Sequence, residues 1–164
     1  MSNTHKLSLS VQYATEAKNL PTRPQFRRWV RAALHPQGVR RRVPGSIAAT
    51  LPLQRDVQIV LRLVDESEGR TLNKNFSGKD YATNVLTFVH EHESVLHGDL
   101  ALCAPVVAKE AREQHKDLHA HYAHLTIHAT LHLQGYDHKN DTDATAMEAS
   151  ETAILHKLGY ASPY

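Results

Sequence analysis

An α+β fold is what the order of sequence periodicities predicts, and three observations carry the prediction. Period-two alternation of apolar and polar residues is confined to the segments before Cys103. Helical period dominates from Pro105 onward. Glycine and proline residues stand where the segments should stop. Strands gather early and helices late, which favours α+β over a regular βαβ alternation. A chain of 164 residues suits one domain, able to bury roughly 70 % of its unfolded surface.

Each element has its own local reason. Leu7, Leu9, Val11 and Tyr13 alternate with polar residues, the pattern of a half-buried strand. Pro24 suits the first turn of a helix whose one face carries Phe26, Trp29, Val30 and Ala33. The stretch from His35 to Gly45 holds Pro36, Gly38, Pro44 and Gly45 and reads as a loop within the domain. Val57, Ile59, Leu61 and Leu63 mark a second strand. Asp65 to Phe76 reads as a short helix closed by Gly78. Val85–Val89 and Gly98–Leu102 are two more strand candidates. Three helices follow, from Pro105 to about Gln114, about Leu118 to Gln134, and about Thr142 to Leu158, with Gly135 and Gly159 as stops.

Composition narrows the function classes. No apolar run approaches the roughly 20 residues of a membrane span, and Met1 to Val11 lacks the apolar core of a secretory signal. A cytoplasmic protein without a membrane partner is expected. The single Cys103, in an apolar run, has no disulfide partner in the chain and reads as a buried thiol. Residues 1–55 carry ten Lys or Arg against Glu16 alone, a charge of +9, leaving −7 for the remainder of a chain of net +2. Arg40, Arg41 and Arg42 lie in the basic loop, and Arg27, Arg28 and Arg31 lie on the helix before it. Such clusters bind phosphate backbones, although most charge runs are solvated faces. More than half of the 13 histidines fall between His90 and His138.

The chemistry concentrates in His128-Ala129-Thr130-Leu131-His132-Leu133-Gln134-Gly135-Tyr136-Asp137-His138. Positions four apart share a helix face, so His128 and His132 can aim at one ion. Gly135 can adopt a positive φ and turn the chain back, bringing His138 round as a third ligand. Three neutral imidazoles leave a tetrahedral ion one open position, as in catalytic rather than structural zinc sites. A histidine pair of this spacing is common on surface helices; the third histidine just past a glycine stop is what favours ligation. His121 and His124 share the helix, and His124 stands one turn before His128. Ligation, a supporting contact to a ligand, substrate contact and partial burial are all open to them. Ala129 occupies the place where a zincin-type protease carries its general-base Glu, which disfavours peptide hydrolysis by that route.

At these residues the chain resembles the YbeY family of bacterial endoribonucleases, also described as rRNA maturation factors. The family signature is H-x-x-x-H-x-x-x-x-x-H with Gly-Tyr-Asp before the last histidine, matched by His128, His132, Gly135, Tyr136, Asp137 and His138. Thr83-Asn84-Val85-Leu86-Thr87-Phe88 is similar to the family's T-[ND]-V-L-S-F strand, and Gly98-Asp99-Leu100 to its G-D-[IL] strand. Leu72-Asn73, Gly78-Lys79-Asp80, Met147-Glu148 and Leu158-Gly159-Tyr160 fit further family segments. The resemblance runs from about Val57 to Tyr160. It implies a small mixed sheet packed with helices, and one zinc ion per chain on His128, His132 and His138 at the C-terminal end of a long central helix. It also implies cleavage of single-stranded RNA in rRNA maturation, including the small-subunit rRNA 3′ end, and a part in ribosome quality control, with rRNA and the small ribosomal subunit as partners.

One position departs from the family. Ser77 stands where members commonly have an Arg before Gly-Lys-Asp, and serine offers a phosphate neither charge nor a bidentate fork. Lys74, Lys79, a basic residue of the first 55, or a weaker activity are the open answers. Lys79, Lys74, Ser77 and His124 are thus the substrate-contact candidates. The leading expectation is metal-assisted phosphodiester hydrolysis. The rivals are a ribosome-assembly or RNA-binding factor braced by its metal, and a metallohydrolase of small molecules or peptides.

Overall fold

The computed structural model describes residues 6–34, 56–91, 95–137 and 139–164. The expected loop from His35 to Gly45, with Arg40, Arg41 and Arg42, lies outside them, as does His138.

Nine elements follow one another: β1 (Leu7–Ala14), α1 (Arg23–Leu34), β2 (Asp56–Val64), α2 (Glu66–Ser77), β3 (Val85–Glu91), β4 (Val95–Cys103), α3 (Ala104–Glu113), α4 (Leu118–Leu133) and α5 (Asp141–Lys157). The sheet order is β1-β2-β4-β3. β1 pairs parallel with β2, β2 parallel with β4, and β3 antiparallel with β4. The expected α+β class with a mixed sheet is borne out. The expected helix from Pro24 is α1, between β1 and β2, and the structure adds that these two strands pair in parallel. A parallel pairing needs a long crossover, and α1 lies within it.

Side-chain alternation divides the sheet into two faces. Val57, Ile59, Leu61 and Leu63 of β2 stand in register with Leu96, Gly98, Leu100 and Leu102 of β4. Leu7 and Val11 of β1 join the same face. It is buried against α1, through Phe26, Trp29, Val30 and Ala33, and against α4. Gly98 is required there: a Cβ on it would meet Leu133 Cδ2 at 2.4 Å. The missing side chain lets the end of α4 lie directly on β4. The opposite face takes α2, where Gly69 packs on the buried Cys103 thiol, as expected of that cysteine. Among the described residues no helix is long and apolar enough to cross a membrane.

Candidate active site

The site is built on α4. Asp117 caps its first turn, its carboxylate accepting from Ala120 N at 3.0 Å. Between His121 and Leu133 the helix is apolar nearly all round, the signature of a buried helix. It is covered by α1 and the sheet on one side and by α3 and α5 on others. Against this apolar background stand four histidines, His121, His124, His128 and His132. The rings of His121 and His124, and of His124 and His128, are each 6.3 Å apart, one continuous row.

Gly135 ends α4 with φ 95°, a left-handed conformation natural to glycine. Its N–H bonds His132 O at 3.0 Å and Tyr136 N bonds Leu131 O at 3.2 Å, so the chain folds back over the last turn, as the glycine predicts. That reversal lays the Tyr136 carbonyl on His132 Nδ1 at 3.0 Å. A carbonyl only accepts, so Nδ1 carries the proton and the acceptor lone pair of His132 sits on Nε2.

His128 is held in a parallel way by a different group. Its Nδ1 meets Glu151 Oε1 of α5 in a short hydrogen bond. The other carboxylate oxygen accepts from His124 Nε2 at 3.0 Å and from the Tyr164 hydroxyl. Glu151 has no exposed surface, an unusual place for a carboxylate without partners. Burial pushes its carboxyl up, but the hydrogen bonds of His124, His128 and Tyr164 outweigh that, bringing it down to about 2. Glu151 is therefore an ionised acceptor, and His128 Nδ1 donates to it, leaving the lone pair on Nε2. For Tyr164, burial first and then the Glu151 contact push the phenol above its ordinary range.

Farther up the row, His121 Nε2 donates to Glu110 Oε1 at 3.1 Å. Burial lowers the pKa of His121, against the opposing pull of Glu110. His124 proves to be a nearly buried partner of Glu151, one of the roles open to it from sequence. The structure thus brings His124, His128 and His132 onto one helix, and engages the Nδ1 of both expected ligand histidines. Among the described residues no group of three His, Cys, Asp or Glu is arranged to hold a metal ion; the expected third ligand, His138, is not among those residues.

Lys74, Ser77 and Lys79 belong to a different part of the chain. They lie exposed in the last turn of α2 and the turn after it, on an element packed against the sheet face opposite α4. That turn is firmly built. Gly78 caps α2 with φ 72° and bonds Lys74 O, Arg70 grips Asp80 through two bonds of 2.7 and 2.9 Å, and the buried Asn73 donates to Tyr81 O at 2.8 Å. The exposed Phe76 ring lies 4.6 Å from that of Phe88.

Sequence reasoning missed Glu151, Tyr164 and Glu110. For Glu151 a signal existed. Met147, Glu151, Ile154 and Leu155 form one buried stripe on α5, and a glutamate on an apolar stripe marks a carboxylate with a buried partner. Tyr164 carries no such mark, because it reaches Glu151 from an irregular segment.

Comparison with known proteins agrees with this architecture. A family model described as endoribonuclease YbeY matches residues 13–159. A protein of Nitrosomonas europaea named endoribonuclease YbeY is 48 % identical over 159 residues, covering 97 % of this chain and 85 % of its own length. A Methylobacillus flagellatus protein of the same name is 50 % identical, with 97 % and 94 % covered. In three dimensions, a solution structure of a Thermotoga maritima protein matches with a TM-score of 0.55 at 23 % identity over 91 % of both chains, which supports the fold. With a family model spanning most of its length and relatives near one-half identity, the chain belongs to the endoribonuclease YbeY family.

Proposed function

We propose that the whole chain works as one zinc-dependent endoribonuclease domain, cutting single-stranded RNA during rRNA maturation, including the 3′ end of the small-subunit rRNA. Membership of the family makes it a hydrolase of RNA phosphodiester bonds. The finer reading is ours: one zinc ion on His128, His132 and His138, the ribosome or its small subunit as partner, action in the cytoplasm, and a part in ribosome quality control.

The observation that carries the metal reading is the pair of occupied Nδ1 atoms. His128 donates to Glu151 and His132 to the Tyr136 carbonyl, so each presents Nε2 as its donor lone pair. Ligand histidines of zinc sites are usually braced in this way. Neutral nitrogen donors with no thiolate nearby suit a zinc site that keeps a position open. A zinc ion held there supplies Lewis acidity, polarising a phosphoryl oxygen and acidifying water.

The chain's own residues divide the remaining work. Glu151 and the Tyr136 carbonyl orient the imidazoles. Lys79 and Lys74 are exposed cations able to neutralise backbone phosphate, while Ser77 can offer one neutral hydrogen bond. The test is zinc content and cleavage of a single-stranded RNA for wild type and His132→Ala. About one zinc per chain and cleavage are expected in wild type and both lost in the variant; a folded His132→Ala protein that cleaves at the wild-type rate refutes the mechanism.

Ser77 favours a second reading, an assembly factor that binds RNA while its metal braces the fold, because the position lacks the charged fork of the family's usual arginine. Normal ribosome maturation in cells carrying a metal-free but folded variant would support it.

A further inference from the structure

We propose that Glu151 is the positioning residue of the metal site, and that Tyr164 and His124 hold its carboxylate in place. The inference rests on the three-histidine reading and extends it to residues outside the signature.

The argument is one of satisfied valence. A fully buried carboxylate must receive hydrogen bonds on both oxygens or destabilise the fold. Oε1 takes one donor, His128 Nδ1. Oε2 takes two, His124 Nε2 and the Tyr164 hydroxyl. With Oε2 committed, the carboxylate cannot swing, and Oε1 is held at a set point against His128. The ring of His128 then has one tautomer and one orientation. His124 is limited in the same sense, since its Nδ1 is buried without a partner among the described residues and its Nε2 is the bonded nitrogen.

Tyr164 has a mechanical role as well. Its ring meets the His124 ring edge-on at 5.6 Å, and the neighbouring Pro163 carbonyl accepts from Lys116 Nζ at 3.0 Å. The end of the described chain is thereby tied both to the segment before α4 and to the carboxylate beneath His128. A residue 36 positions from His128 in sequence contributes to its geometry through one intermediary.

A purely structural Glu151, serving only to join α5 to α4, would affect stability and leave metal affinity alone. The deciding experiment uses Glu151→Gln and Tyr164→Phe in the full chain. It measures zinc affinity by chelator competition, the His128 tautomer in the metal-free protein by long-range proton–nitrogen NMR, and melting temperature. Glutamine keeps the volume but turns one acceptor into a donor, opposing the ring N–H of either His128 or His124. Expected are a 10- to 100-fold loss of zinc affinity, of the order seen when such partners are removed, and loss of the single Nδ1–H tautomer. Tyr164→Phe removes one bond of three and should cost about fivefold in affinity, with a modestly lowered melting temperature and a folded protein. It keeps the test decisive if Glu151→Gln does not fold. Zinc affinity within twofold of wild type in the folded variants overturns the proposal. Wild-type protein without zinc affinity would instead remove the three-histidine reading, and the tautomer comparison would still decide whether Glu151 sets His128.

Discussion

Two carboxylates meet the histidine row of α4, and they are embedded differently. Glu110 of α3 keeps 28 % of its side chain exposed and shares itself between His121 and Asn84, whose Nδ2 lies 3.0 and 3.3 Å from its two oxygens. Glu151 of α5 has no exposure and three protein donors. A carboxylate that reaches water is hydrated wherever the protein falls short, so each of its contacts is replaceable. One sealed from water draws all its compensation from the protein, and its donors then act as a set. The first arrangement ties elements together, whereas the second also fixes the orientation of the rings around it.

The sharpest way to break that contrast is Glu151→Ala. It leaves His124 and the Tyr164 hydroxyl without their acceptor and should cost about 3–5 kcal/mol of unfolding free energy, the usual range for a buried pair that loses one partner. Denaturant titration of the metal-free protein measures it, and a cost near that of a surface substitution would show that the two carboxylates are equivalent. Glu110→Ala removes bonds to His121 and Asn84 that solvent can partly replace, and should cost about 1–3 kcal/mol in the same titration. Asn140→Ala removes the N-cap of α5, where the side chain accepts from Asp143 N at 2.8 Å. A loss of about 1 kcal/mol is expected, together with a small loss of zinc affinity because α5 carries Glu151.

The smallest effect concerns acidity at the Glu110 end. Burial lowers the pKa of His121 below its ordinary 6.5, so on acidification the unfolded chain takes up that proton first. The contribution is complete above pH 6.5 and declines as pH falls from there toward the folded value. His121→Gln should flatten this part of the melting-temperature profile. An unchanged slope would mean that His121 does not titrate differently in the two states.

The same contrast explains what could be read in advance. Strands and helices announced themselves through period, caps and glycines, since those signals lie within a few residues of the element they describe. The pair His128 and His132 was legible for the same reason, being one turn apart on one helix. Glu151 is 23 residues from His128 and Tyr164 is 36, and only the packing of α5 on α4 makes them neighbours. The parallel pairing of β1 with β2 was equally hidden, because it depends on where the chain returns after α1. Ser77 was visible as a departure, yet its exposure at the end of α2 needed the structure to be seen.

The tie between Tyr164 and Glu151 has a practical side for anyone who produces this protein. An affinity tag or fusion partner joined directly after residue 164 would hang from the residue whose hydroxyl bonds the buried carboxylate. A handle attached directly after Tyr164 therefore belongs behind a cleavable linker, and metal affinity and nuclease rates should be compared before and after its removal.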